Sequence, residues 1–181
     1  MISHPGYKLQ VLPVGAEIEA LDLSQIEVPE VRSSLFADWM EHGLLIFRDL
    51  PVTNAQHLAL SRIFGDLELH PLHEIHNAEE PLLIDLGGKK ATRAFVYDDD
   101  KLRVDRIAWH RDTAYTVEIC KGAMLRVLER PEEGGHTDFC DTEKAYNALS
   151  EDLKTEIEDL EFKATLVLDQ SLMLRGTTWQ K

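Results

Sequence analysis

The chain has 181 residues, 29% charged and 44% hydrophobic, which is the balance of an ordinary globular domain with enough length to bury a core. Thirty-three acidic residues against nineteen basic ones leave a net charge of -14. Such a field repels nucleic acid and anionic membrane surfaces, whose binding needs clustered Lys and Arg.

The opening MISHPGYKLQ lacks a basic segment followed by an apolar stretch, so no signal peptide is expected and the reading is cytoplasmic. Residues 7–14 carry β-friendly apolar positions, and Gly15 to Leu23 continues as a short alternating piece up to a turn at Asp22–Ser24. Pro29 then opens a helix with Val31, Leu35, Phe36, Trp39 and Met40 on one face, and Gly43 stands where a C-terminal cap belongs. Leu44 to Phe47 is a continuous apolar strand and the longest apolar run, far too short to span a bilayer. Thr53 with Gln56 three residues later forms a capping box for a second helix, which ends before Gly65.

Residues 66–108 are mixed: Pro71 and Pro81 interrupt, Leu82 to Leu86 reads as a buried strand, and Gly87-Gly88 breaks it. Two strand-like runs follow, Ile107 to Val117 and Ala123 to Leu128, then a turn at Pro131 to Gly135. A helix is expected from Thr142 to about Leu160, with Ala145, Leu149, Leu153, Ile157 and Leu160 as its apolar stripe, and Leu166 to Leu168 begins another strand. Cys120 and Cys140 are too few for a disulfide scaffold or a zinc finger, and read as buried free thiols in a reducing cytosol. With no repeat, no Gly-rich phosphate loop and no βαβ alternation, the order of elements argues for an α+β domain built on an antiparallel sandwich or barrel.

The segment Ile107-Ala-Trp-His-Arg-Asp-Thr-Ala-Tyr115 carries the chemistry. On a strand, residues two apart point the same way, so His110 and Asp112 are expected to share a face, with Arg111 opposite. An imidazole and a carboxylate side by side, joined by a second His from elsewhere, make the facial triad that suits iron(II) and leaves open coordination positions. Taken alone, His-x-Asp arises by chance and defines no site. His70, His73 and His76 also invite a metal reading, but they lack the i, i+4 spacing of a zinc helix, and Pro71 forbids a regular helix through them.

Several further pieces stand in order with that segment. Trp109-His-Arg-Asp-Thr-Ala-Tyr115 is similar to the W-H-x-D-x-x-[FY] signature of the taurine and 2,4-dichlorophenoxyacetate dioxygenases. Pro131-Glu-Glu-Gly-Gly-His-Thr-Asp-Phe139, followed by Ala145-Tyr-Asn-Ala-Leu149, resembles that family's P-x-x-G-G-D-T-x-[FW] and A-Y-x-A-L blocks. Gly15-Ala-Glu-Ile18 with Asp22-Leu23, and Phe64-Gly65 with His70-Pro71, fit the same order.

The resemblance implies a double-stranded β-helix (jelly roll) with flanking helices. It implies an iron(II)- and 2-oxoglutarate-dependent dioxygenase that consumes O2, is assayed with ascorbate, and releases succinate and CO2. His110 and Asp112 match two iron ligands, and Thr137 matches the Thr whose hydroxyl bonds a carboxylate of 2-oxoglutarate. His136 stands where the family has Asp, and its loop position favours a surface role. His70 and His73 fall in the region lining the primary substrate pocket, and Arg106 falls where the family also touches substrate. Asp112 replaces the small residue of halogenating relatives, so hydroxylation or oxygenative ether or ester cleavage is expected.

Seven basic residues between Lys89 and Arg111 point to a small substrate bearing a carboxylate, sulfonate or sulfate, against the plainer reading of a solvated loop balanced by nearby Asp residues. A homo-oligomer is compatible with this reading. After His136 there is no histidine through Lys181, so residues 1–181 read as the N-terminal part of one catalytic domain, inactive alone, with the distal His and the 2-oxoglutarate-binding Arg expected beyond. A cupin-like metal-binding jelly roll, or a vestigial one, remains the alternative.

Overall fold

Alternating burial builds the first sheet. Its strands are β1 (Ile2–His4), β2 (Tyr7–Val11), β3 (Ala16–Glu19) and β4 (Leu45–Phe47), hydrogen-bonded in that order. Tyr7 and Leu9 of β2, and Ala16 and Ile18 of β3, are buried, while Lys8 and Gln10 face solvent. The β2–β3 pair is antiparallel, with Leu9 opposite Ile18 and Val11 opposite Ala16. β3 and β4 run parallel, and the crossover that a parallel neighbour requires contains α1 (Pro29–His42). Gly15 permits that approach: its φ is +77°, and a Cβ there would lie 2.6 Å from the Leu44 carbonyl oxygen. The Ala16 amide instead donates to that carbonyl at 2.8 Å.

Helix α1 starts and stops as expected, with Pro29 in its first turn and Gly43 capping it in the left-handed conformation, its N–H on the Trp39 carbonyl. Its buried face differs from expectation. Val31, Leu35 and Asp38 are inside, whereas Met40 is exposed. The i, i+4, i+7 positions win because Asp38 meets a buried donor there, the Tyr7 hydroxyl. Helix α2 (Asn54–Ser61) carries the full capping box: Gln56 N–H donates to Thr53 Oγ1, and Thr53 N–H donates to Gln56 Oε1. Leu9, Ile18, Val31, Leu35, Leu60 and Ile63 form the centre of the core, each aliphatic side chain contributing roughly 1.5–3 kcal/mol by leaving water.

The structure is a computed structural model, and it describes residues 1–86, 94–96, 102–104, 109–118 and 120–164. The chain divides into two compact units: Met1–Ala91 with Met124–Ser150, and Thr92–Ala123 with Glu151–Lys181. The second unit holds an antiparallel pair, β5 (Ala94–Val96) and β6 (Leu102–Val104), in the stretch read from sequence as mixed. The α+β expectation holds. Gly87-Gly88, Arg106, Ile107, Ala108 and the strand expected at Leu166–Leu168 lie outside the described residues.

Several local expectations are corrected. Cys120 is only half-buried and Cys140 is exposed, because both stand in turns and loops rather than on a core-facing strand. Leu82 to Leu86 forms no strand but a single bridge, Ile84 to His76. Residues 109–118 form turns rather than a strand: Thr116 donates its amide and hydroxyl to the Thr113 carbonyl, and such local bonds compete with a ladder. Ala123 to Leu128 keeps the period-two burial of a strand, with Met124 and Arg126 half-buried and Leu125 and Val127 exposed, but pairs with no sheet among the described residues. The long C-terminal helix is two: α3 (Thr142–Asn147), capped by Asp141, and α4 (Glu151–Ile157), which starts afresh on acidic residues after Ser150. Neither has a buried residue, and Leu153, Ile157 and Leu160 of the expected stripe are exposed. Among the described residues, no helix is long and apolar enough to cross a membrane.

Candidate metal and substrate site

In the second unit the turns after Trp109 bring His110 and Asp112 together, by chain reversal rather than by a strand's pleat. His110 Nε2–H donates to Asp112 Oδ1 at 3.1 Å, and the two side chains are 54% and 57% exposed. So exposed a pair is worth about 0–1 kcal/mol to the fold. The spacing also fits a metal. Two neighbouring corners of an octahedron with bonds of about 2.1 Å are about 3.0 Å apart, and an imidazole nitrogen with a carboxylate oxygen is a donor set that iron(II) accepts. Deprotonated Nε2 would then face the ion in place of the hydrogen bond to Asp112. Among the described residues, no cluster of three His, Cys, Asp or Glu side chains is arranged to hold a metal.

The other expected site residues belong to the first unit or lie outside the described residues. Thr137 is exposed, two residues past Gly135, in a loop whose Gly134 and Gly135 both take positive φ. His136 is exposed beside it. His70 is half-buried and accepts the Leu72 amide on Nδ1 at 3.1 Å. That nitrogen serves as the acceptor for this loop's backbone. His76 donates Nε2–H to the His70 carbonyl at 2.8 Å and meets the His73 ring edge-on at 5.2 Å. His73, in a single 3₁₀ turn, is exposed. Arg106, with Lys89, Lys90, Arg93 and Lys101 of the basic run, lies outside the described residues. The structure thus gathers His110 with Asp112, and His70 with His73 and His76, each group within its own unit.

Sequence reasoning missed the polar pair His57 and Arg126 in the first unit. Arg126 donates to the Val52 carbonyl and to Asn54 Oδ1, both at 2.6 Å, and ties the 124–128 segment to the start of α2. His57 is buried, and burial first, then the Arg126 charge, pushes its pKa down. The signal was present in the alternation of 123–128, which turns Arg126 inward together with Met124.

Residues 6–165 match the family described as "Taurine catabolism dioxygenase TauD, TfdA family". The chain is 33% identical over 139 residues to a (S)-phenoxypropionate/alpha-ketoglutarate-dioxygenase of Sphingobium herbicidovorans, covering 76% of this chain and 45% of the relative. It is 31% identical over 166 residues to the alpha-ketoglutarate-dependent 2,4-dichlorophenoxyacetate dioxygenase of Cupriavidus pinatubonensis, covering 80% of this chain and 53% of the relative. An alpha-ketoglutarate-dependent sulfate ester dioxygenase of Pseudomonas putida is 25% identical over 142 residues, covering 78% of this chain and 43% of the relative. The chain spans about half the length of the curated relatives it matches.

Proposed function

The chain belongs to the TauD, TfdA dioxygenase family, and from that premise we propose that the whole protein is an iron(II)- and 2-oxoglutarate-dependent dioxygenase. It hydroxylates, or oxygenatively cleaves, a small anionic substrate of the phenoxy-carboxylate or sulfate-ester kind named in its relatives, within a double-stranded β-helix. The observation that carries this reading is the exposed His110–Asp112 pair at 3.1 Å, inside the stretch that matches the family.

Iron(II), when bound, supplies the redox chemistry that couples decarboxylation of 2-oxoglutarate to oxidation of the substrate by O2. The chain's own share is positional. His110 and Asp112 present one nitrogen and one oxygen as two ligands of that metal. The Thr137 hydroxyl donates to a carboxylate of 2-oxoglutarate. His70, His73 and Arg106 serve as substrate contacts. Asp112 would hold one coordination position with protein, which would favour oxygenation over halide transfer.

The test is succinate production by the intact, full-length protein with iron(II), ascorbate and 2-oxoglutarate under air, across phenoxy acids, sulfonates and alkyl sulfates. Substrate-dependent succinate is expected from the wild type and none from His110→Ala or Asp112→Ala. Succinate from either variant means that other residues hold the metal. No succinate from the wild type on any substrate overturns the reading in favour of a metal-binding or vestigial jelly roll.

A further inference from the structure

Asp112 stands between two residues that reach the same point of the chain. Arg111 donates a guanidinium N–H to the Cys120 carbonyl at 3.0 Å, and the Cys120 amide donates to the Thr113 hydroxyl at 3.2 Å. The Cys120 thiol adds a weaker contact, donating to the Asp112 carbonyl at 3.8 Å. Three groups of one residue thus meet three consecutive residues centred on the proposed ligand. Inside the loop so closed, the Thr116 amide and hydroxyl donate to the Thr113 carbonyl at 3.0 and 2.7 Å, and the same hydroxyl lies 2.6 Å from the Glu118 carbonyl.

Two facts separate this clasp from ordinary loop bonding. Thr113 has φ +51°, which a β-branched residue holds only where its surroundings over-determine it, and such residues collect at functional sites. The side chains of His110 and Asp112 are more than half exposed, so core packing does not set their 3.1 Å separation. The clasp ties the side chains of Arg111 and Thr113, the two chain neighbours of Asp112, to the backbone of Cys120, and so restrains the chain on both sides of that carboxylate.

We propose that Arg111 and Thr113, closing on the backbone of Cys120, are positioning residues that hold the Asp112 carboxylate beside His110 for metal binding, an inference that rests on the metal reading above. Arg111 acts through the Cys120 carbonyl, and Thr113 through the Cys120 amide. Their effect is to lower the ordering that a metal must impose on an otherwise solvated carboxylate.

Cobalt(II) titrated into the full chain, followed by visible absorption, tests this alongside thermal unfolding. Arg111→Ala and Thr113→Val are each expected to weaken cobalt(II) binding roughly 10- to 100-fold, the range seen when supports of metal ligands are removed, with the unfolding temperature unchanged. Thr113→Ser, which keeps the hydroxyl, restores binding, and the double variant loses less than the product of the single losses because both act on one clasp. Wild-type affinity in both single variants, with binding lost in Asp112→Ala, overturns the positioning role and leaves the metal reading standing. No binding by the wild type, or undiminished binding by Asp112→Ala, overturns both. Hydrogen exchange of the wild-type Cys120 amide needs no variant: protection is expected, and exchange at the free-peptide rate overturns the clasp.

Discussion

Removing the Tyr7 hydroxyl probes a buried hydrogen bond to a carboxylate in the first unit's core that sequence periodicity did not anticipate. The Tyr7 ring is 3% exposed, and its hydroxyl donates to Asp38 Oδ2 at 2.5 Å. His4 lies 3.6 Å from the other carboxylate oxygen and stacks on the Tyr7 ring at 4.9 Å. Tyr7→Phe keeps the ring volume and opens no cavity, and it deletes the donor to Asp38 together with the acceptor that the hydroxyl offers to Ser34. Hydrogen bonds to charged groups are worth roughly 1.5–3 kcal/mol, and His4 leaves Asp38 partly served, which sets the expected loss at about 2 kcal/mol near neutral pH. Urea denaturation reads this directly as a lower midpoint at unchanged slope.

The pH dependence gives a second check with a definite sign. Burial, then the hydrogen bond and charge of Asp38, push the Tyr7 pKa above its ordinary 10.0. A group whose folded pKa is raised contributes fully below its unfolded pKa and loses that contribution as the pH rises beyond it. The gap between wild type and Tyr7→Phe is therefore constant from neutral pH to about pH 10 and narrows above it. A gap under about 0.5 kcal/mol at neutral pH, well below the range for a charged acceptor, refutes the reasoning. So does a gap that does not change through the alkaline range.

Gly15→Ala is expected to cost roughly 2–4 kcal/mol in the same denaturation assay: about 1–2 for the left-handed backbone, and the rest for displacing β4 from a contact at 2.6 Å. Wild-type stability falls as the pH drops below 6.5, because a His whose folded pKa is depressed stabilises above its unfolded value and must charge in acid. His57→Gln, which does not titrate, shows a shallower acid limb in denaturant midpoints measured across that range. Thr137→Val raises the 2-oxoglutarate concentration needed for half-maximal succinate formation roughly tenfold or more while leaving metal affinity intact, the cost of one charge-assisted bond of about 1.5–3 kcal/mol.

Where a feature depends on residues within one turn of each other, the sequence alone was sufficient. Pro29 and Gly43 bound α1, Thr53 and Gln56 close a capping box, and the alternation through Tyr7, Leu9, Ala16 and Ile18 marks β2 and β3, because each of these signals is a short-range steric or hydrogen-bonding preference. The juxtaposition of His110 and Asp112 was legible for the same reason, since two residues apart is close in either a strand or a turn.

The turn itself was not legible. It depends on Arg111 and Thr113 finding Cys120 seven to nine residues on, which no periodicity encodes. Asp38 took a core position from Met40 because Tyr7, thirty-one residues earlier, needed an acceptor for its hydroxyl. The single long helix expected after Asp141 divided at Ala148–Ser150, where the two compact units also part. Its apolar stripe lies exposed along α4, so burial supplied no reason to keep the helix continuous against a fresh polar start at Ser150-Glu151. Local sequence determined which segments could be helix or strand and which polar side chains stand close together at His110 and Asp112. Tertiary structure decided which polar groups went inside and how the segment around His110 and Asp112 was bent, because a buried donor or a closed loop is stabilised only by partners that the folded chain brings to it.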